Sequence, residues 1–251
     1  MTSDQTFSSS VPRIPAIRPA GFELCVTFDL RGMDWAYVNE LHHSYRFDLE
    51  WPAGMLCHFT GPNETGIVSR GIWTTREAEA EYFNNIAAEV ITNSVNEIGP
   101  PQTDSGAGDF EPVPRALHRL TLGRDFAAFV GIGEDIDASA IHALGNQPVV
   151  IEFDHTGIPP GDFDMTMQQI GYDVVIPQGM IMQCVERGEE DFLETQVWSD
   201  ATSARLALQS EYLPALARHT GGNAVAAIKP QIHELRRISF GADEVDPAWL
   251  A

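Results

Sequence analysis

Basic residues are scarce in this chain. Its 251 residues include 15 lysines and arginines against 36 aspartates and glutamates, which gives a formal charge of −21. A field of that sign repels nucleic-acid phosphates and anionic membrane surfaces. The sequence therefore predicts no nucleic-acid partner and no membrane partner, and the charge is interpreted as a solvated surface.

Long apolar runs and paired cysteines are also missing. No stretch approaches the roughly 18 residues that a membrane-spanning helix needs, and the N-terminus lacks the charged start and apolar core of a signal peptide. The three cysteines, Cys25, Cys57 and Cys184, lie in apolar strand-like runs without the CxxC or Cys/His spacing of a zinc site. These absences predict a cytoplasmic protein with buried thiols.

Signatures of cofactor chemistry are absent as well. There is no Gly-rich phosphate loop and no GxSxG, and Gly131-Ile-Gly133 is too short for a dinucleotide fingerprint. No carboxylate has the spacing that would complete a metal triad with the helix histidines. The sequence predicts a reaction without cofactor or metal, or no reaction.

What the chain does contain is an internal repeat. Residues 54–83 read GMLCHFTGPNETGIVSRGIWTTREAEAEYF, and residues 179–208 read GMIMQCVERGEEDFLETQVWSDATSARLAL. The Gly-Met opening and the tryptophan recur 125 residues apart, without a gap. Two copies indicate a duplicated domain rather than a solenoid.

Hydrophobic patterns predict β-α-β-β-α-β in each copy. In the first copy the strands are 22–30, 55–60, 66–73 and 115–122, and the helices are 34–47 and 76–95. In the second copy the strands are 148–156, 180–185, 192–198 and 231–240, and the helices are 162–170 and 201–218. The predicted domains are a flexible segment at 1–21, repeats at 22–123 and 148–241, a linker at 124–147 and an acidic tail at 242–251.

The predicted fold class is α+β, with two ferredoxin-like repeats. Such a unit has both helices on one face of an antiparallel sheet and leaves the other face bare. Packing the two bare faces together buries them, and tandem duplication supplies the second sheet at high effective concentration. We therefore expect an intramolecular pseudo-dimer that forms an α+β barrel, and whether such chains pair further is left open.

The motifs that carry this prediction are GMLCHFTGP (54–62), GIWTTREAEAEYF (71–83), ALHRL (116–120) and VWSDATSARLALQSEYLPAL (197–216). With them the chain resembles the dimeric α+β-barrel superfamily, and within it the proteins similar to antibiotic biosynthesis monooxygenases. That resemblance implies a ligand pocket between each sheet and its own two helices. Haem-degrading relatives need a histidine at the place where the two repeats here have Thr92 and Ala217. They also need a tryptophan at the place where the repeats have Tyr82 and Ala207.

Two histidines are candidate catalytic bases. His58 lies mid-strand in the first repeat, where the second repeat has Gln183. His118 lies in the fourth strand and matches Arg236. An imidazole near neutrality can take a proton from a phenol or from a C–H bond beside a carbonyl. The alternative is a strand histidine that is satisfied by a backbone carbonyl.

The candidate substrate-binding residues are aromatic or polar. Trp73 ends a strand, as Trp198 does, and can stack on an aromatic substrate or plug the core. The first helix supplies the others, which either line a polar pocket wall or face solvent: Tyr37, Asn39, His42 and His43. His155 is left without an assigned role, because its counterpart is Leu30.

The leading hypothesis is a cofactor-independent small-molecule enzyme of the monooxygenase-like class. A histidine would deprotonate a phenolic, quinol or polyketide-like substrate, which then undergoes oxygenation, cyclisation or isomerisation. The second repeat is expected to be mainly structural. Two alternatives stay open, a non-catalytic binding or assembly module and a haem-binding protein with a ligand such as His42.

Overall fold

The chain is described by a computed structural model. The residues described are 11–45, 51–62, 66–98, 112–130, 148–187, 192–220 and 228–250. Within these ranges no helix is long and apolar enough to cross a bilayer. Most of the predicted linker at 124–147 lies outside the described residues.

The first repeat has the predicted order of elements, and an unpredicted strand, β1 (Arg13–Ile17), precedes it. The repeat comprises β2 (Leu24–Arg31), α1 (Trp35–Tyr45), β3 (Met55–Pro62), β4 (Gly66–Trp73), α2 (Arg76–Tyr82), α3 (Ala88–Ile98) and β5 (Val113–Gly123). A π-helical turn, Phe83–Ala87, joins α2 to α3. Strand β1 corrects part of the prediction of a flexible segment at 1–21, because residues 13–17 pair with β5 and with β7 of the second repeat.

The second repeat follows the same order. It comprises β6 (Val149–Asp154), α4 (Pro160–Ile170), β7 (Val175–Pro177), β8 (Met180–Arg187), β9 (Phe192–Trp198), α5 (Ala201–Ala207), α6 (Leu213–Thr220), β10 (Gln231–Glu234) and β11 (Arg237–Phe240). A π-helical turn, Leu208–Tyr212, again interrupts the second helix, 125 residues after its counterpart.

Local sequence explains why the two copies share these details. Gly54 and Gly179, which precede β3 and β8, have φ of +81° and +93°, a conformation that favours glycine. Thr75 and Asp200 cap the next helices, where their side chains accept hydrogen bonds from backbone N–H groups at 3.1 and 2.7 Å. The repeated motif thus encodes a turn, a hairpin and a helix cap.

The fourth strand of each repeat crosses to the other repeat. The start of β5 pairs with β2, whereas its later part, from Ala116 to Leu122, pairs with β8. Likewise β10 pairs with β6, and β11 pairs with β3. The prediction of one strand over 231–240 is therefore corrected, because the chain changes partner at Leu235 and Arg236. The strand order β10-β6-β9-β8-β5-β2-β4-β3-β11 closes into a barrel.

Three apolar layers follow from this arrangement. The barrel interior holds all three cysteines, each buried and free, as the sequence predicts. Phe126 and Phe129, from the predicted linker, pack into the same layer. Each repeat also has a layer between its sheet and its helices, which contains Trp73 in the first repeat and Trp198 in the second.

Candidate functional site

Equivalent hydrogen bonds lie between sheet and helices in the two repeats. His58 on β3 and Ser69 on β4 are bonded through Nε2 and Oγ at 2.6 Å. At the offset of 125, Gln183 on β8 donates through Nε2 to Glu194 Oε1 on β9, also at 2.6 Å. The same place in the fold thus holds an imidazole and a hydroxyl in one repeat, and an amide and a carboxylate in the other.

A buried arginine from the crossing strand completes each place. Arg237 pairs in register with Thr60, and Arg119 pairs with Val185. The two partners, Thr60 and Val185, are 125 residues apart and so are equivalent in the two repeats. Both arginines are buried. Arg237 Nη2 donates to Asn39 Oδ1 on α1 at 2.8 Å. His118 and Arg236, which precede these two arginines in the chain, therefore occupy matching positions.

The first repeat contains a pair of buried imidazoles. The rings of His42 and His58 meet edge-on, with centroids 4.9 Å apart. Burial, followed by the positive charge of Arg237, lowers the pKa of His58 to about 3. Burial also holds the pKa of His42 well below its usual value, and His58 and Arg237 add to the effect. Both rings are therefore neutral at physiological pH.

His58 should make stability depend on pH. Its folded-state pKa of about 3 lies below the unfolded value of about 6.5, so its stabilisation is complete above pH 6.5 and is lost as the pH falls toward 3. The slope is at most about 1.4 kcal/mol per pH unit. His58→Gln introduces the residue that the second repeat has at this place. It should remove the contribution of His58 to the difference in the free energy of unfolding between pH 7.5 and pH 5.5, measured with urea. Ser69→Ala keeps the imidazole and should keep the slope; an unchanged slope in His58→Gln would contradict the assignment.

Trp73 occupies the core of the first repeat. It is buried and packs against Tyr82 with ring centroids 5.6 Å apart. A Cβ at Gly71 would lie 2.7 Å from Trp73 Nε1, so glycine is needed there. Within the described ranges this indole N–H has no hydrogen-bond partner. Its role in substrate binding stays a prediction.

The other predicted residues of α1 are dispersed. Asn39 and His42 lie with His58, as described. Tyr37 is half-buried and packs beside Leu30, Val38 and Ile67. His43 is exposed. The structure thus brings part of the predicted set together around His58 and leaves His43 on the surface.

His118 contacts the second repeat, not the first. It lies at the register shift between β5 and β8, and its Nε2 is 2.9 Å from Asp164 Oδ1 on α4. Its ring meets Phe192 edge-on at 5.1 Å and Phe163 at 6.3 Å. The two candidate bases therefore lie apart, because the crossing of β5 carries His118 to the other repeat.

A pocket of about 380 Å³ opens beside His118. Its lining residues are Arg18, His118, Arg119, Asp164, Met165, Gln168 and Asp173. Asp173 Oδ1 accepts hydrogen bonds from Arg18 Nη1 and from Arg119 Nη1, both at 2.8 Å. In the described part of the chain, the buried Nη2 of Arg119 has no hydrogen-bond partner. The second repeat, expected to be mainly structural, thus contains a polar pocket with a histidine in its wall.

A buried polar network lies beneath this pocket. Arg119 Nε donates to Gln183 Oε1 at 3.2 Å, which links the pocket wall to Glu194. The carboxylate of Glu194 is buried and is bonded to four side chains: Gln183, Gln196, Tyr212 and His155. His155, for which the sequence suggests no role, therefore belongs to this network.

The donors keep Glu194 ionised. Burial alone would raise the pKa of Glu194, but hydrogen bonds from His155, Gln196 and Tyr212, together with the charge of His155, hold it below its usual value. Burial, and then the charge of Glu194, raises the pKa of Tyr212. A carboxylate beside a neutral phenol is therefore fixed at the centre of the second repeat.

Sequence reasoning missed Glu194, Arg119 and Asp164. One signal was present for Glu194, because residues two apart share a face of a strand. Glu194 and Gln196 must therefore face the same side as Trp198, which is a core position. No comparable signal marks Arg119 or Asp164, whose neighbours depend on the crossing of β5.

Comparison with known proteins shows the fold. No protein-family model matches the chain, and no curated protein sequence matches it. Among solved structures, one from Fusobacterium nucleatum subsp. nucleatum is 11% identical, with a TM-score of 0.57 over 93% of this chain and 96% of that one. Another, from Lactobacillus acidophilus, is 9% identical, with a TM-score of 0.54 over 88% and 96%.

Both structures are named "putative monooxygenase". A third, named an anthrone oxidase-like protein, is 9% identical, with a TM-score of 0.48 over 93% of this chain and 99% of that one. At such identities the likeness concerns the fold alone. The chain therefore has a dimeric α+β-barrel fold, built from two ferredoxin-like repeats in one polypeptide.

Proposed function

We propose that this chain is a cofactor-independent enzyme whose active site is the pocket of the second repeat. There His118 would remove a proton from a phenolic, quinol or polyketide-like substrate. The observation that carries the proposal is the meeting of His118, Asp164 and Arg119 in one pocket of about 380 Å³. Sites for small organic molecules typically enclose about 300–1,000 Å³.

The contacts of His118 suit it to act as a base. In the neutral tautomer in which Nε2 donates to Asp164 Oδ1, the lone pair would lie on Nδ1. Nδ1 is thus the atom that takes the substrate proton, and Asp164 then stabilises the imidazolium. This is the role of the carboxylate in other histidine–carboxylate pairs.

Arg119 supplies the matching electrostatics. When the substrate O–H or C–H bond breaks, its electron pair stays on the substrate as a phenolate or enolate. The guanidinium of Arg119 is fixed by Asp173 and Gln183, so it can stabilise that charge without reorganising. Once formed, the anion would pass electrons to dioxygen in an oxygenation, or attack a carbonyl of the same molecule in a cyclisation.

A tryptophan at the pocket edge should weaken substrate binding. Met165 lines the pocket and is 47% exposed, so Met165→Trp would narrow the entrance and raise KM roughly tenfold, the equivalent of ~1.4 kcal/mol of lost binding free energy. Oxygen uptake and product masses are measured for a panel of phenols, hydroquinones and anthrones, with the chain freed of flavin and metal. Leu206→Trp, 44% exposed on α5 outside the pocket, is the control. Equal effects of the two variants would contradict the proposal.

The same panel separates the alternatives. A non-catalytic binding module would bind members of the panel without consuming oxygen or changing their mass. Haem binding would give a Soret band when haemin is added to the chain. Thr92, at a place where haem-degrading relatives need a histidine, donates its hydroxyl to Ala88 O on the exposed side of α3. Either of these results without turnover would replace the enzyme proposal.

A further inference from the structure

The barrel interior contains a cluster of reactive groups that come from two distant segments of the chain. Cys25 lies on β2 of the first repeat, while Cys184 and Glu186 lie on β8 of the second. Their two sulfur atoms and a carboxylate oxygen all lie within 4.8 Å of one another. All three side chains are at most 1% exposed. The crossing of β5 between β2 and β8 brings them together.

Glu186 is the member of this cluster that needs an explanation. In the described ranges neither of its carboxylate oxygens has a hydrogen-bond partner. The charged group beside it is Arg70, whose Nε lies 3.7 Å from Oε1 and which also pairs with Glu152. A buried carboxylate without donors is costly, and such a group often indicates a bound ion.

We propose that Cys25, Cys184 and Glu186 bind a thiophilic divalent cation of the Zn²⁺ class. The cation would displace the thiol protons and form two metal–sulfur bonds, and Glu186 would give a third bond through oxygen. Thiolate and carboxylate are both ordinary ligands of Zn²⁺, whereas two thiolates disfavour Mg²⁺ or Ca²⁺.

The charges and the location fit such a site. Two thiolates and a carboxylate carry three negative charges against two on the cation, and Arg70 lies close enough to offset the remainder. Because its ligands come from both repeats, the cation would cross-link the two halves of the barrel.

Cobalt provides the test, since Co²⁺ occupies zinc sites and absorbs in the near ultraviolet when thiolates bind it. The full chain is stripped with a chelator and titrated with Co²⁺, and Zn²⁺ is then added. We expect one equivalent of Co²⁺ with a thiolate-to-cobalt band that Zn²⁺ removes, and a higher Tm with Zn²⁺. Cys25→Ser and Cys184→Ser should each weaken affinity by more than the ~100-fold that loss of an outer-shell partner can cost.

Cys57→Ser is the matched control. Cys57 is equally buried in the barrel interior, but its sulfur lies 3.7 Å from Met182 Sδ and outside the cluster, so this variant should keep the cobalt band. Glu186→Gln should keep a thiolate band but weaken affinity at least ~10-fold, and it decides the matter if the serine variants do not fold. Absence of the band in the wild-type chain, a Cys25–Cys184 disulfide in its place, or unchanged affinity in Glu186→Gln would overturn the proposal.

Discussion

Replacing His118 by glutamine should reduce turnover by ~10²–10⁴-fold, the usual contribution of a general base. Glutamine keeps a hydrogen bond toward Asp164 but cannot take a proton. The loss should fall on kcat more than on KM, because Arg119 and the rest of the pocket wall remain in place. The measurement is the initial rate of oxygen uptake or product formation with the best substrate of the phenol and quinol panel.

Two variants frame that result. His219→Gln changes another histidine near α4, one that is half-buried and bonded to Gln169 at 2.7 Å, and it should retain wild-type turnover. Asp164→Asn should lower kcat and shift the pH–rate profile, because the imidazolium loses its carboxylate. If His118→Gln turns over at the wild-type rate while His58→Gln does not, the base lies in the first repeat.

Removing the carboxylate of Glu194 should destabilise the chain by ~3–5 kcal/mol, the cost of breaking a buried charged network. In Glu194→Ala the side chains of Gln183, Gln196, Tyr212 and His155 all lose their common acceptor. Each of these side chains is fully or almost fully buried, so bulk solvent does not reach the polar atoms that would lose their partner. The free energy of unfolding is measured with urea at pH 7.

Ser69→Ala is the matched control for Glu194→Ala, because the two positions are equivalent in the repeats. It removes one hydroxyl, bonded chiefly to His58, and should cost ~1 kcal/mol. Similar losses in the two variants would show that the network around Glu194 is not held by the carboxylate. A loss of unfolding free energy that is several times larger in Glu194→Ala than in Ser69→Ala supports a structural role for the network beneath the pocket.

The fold could be predicted because the repeat is encoded locally. The glycine before β3, the hairpin and the helix cap at Thr75 each recur after 125 residues and have the same structural role in both repeats. Periodicity then identified most strands and helices within a few residues. Burial of the two bare sheet faces required no further information, since a ferredoxin-like sheet must cover that face.

The site could be predicted only in part, because its chemistry depends on which strands become neighbours. Strand β5 was found by pattern, but nothing local indicates that its second half pairs with β8. His118 therefore lies in the pocket of the second repeat, next to Asp164, and not beside His58 in the first repeat. The same crossing brought Cys25 beside Cys184, a proximity that the spacing of the cysteines does not suggest. By contrast, His58, His42 and Asn39 were predicted together because they lie within one repeat.

The claim on which the function depends is that ligands bind beside His118, in the second repeat. Histidine-labelled protein and NMR test it directly, with ring signals assigned from His118→Gln and His58→Gln. Titration with the tightest-binding phenol of the panel should shift the His118 signal and leave the His58 signal in place. A shift of His58 with no change at His118 would contradict the account.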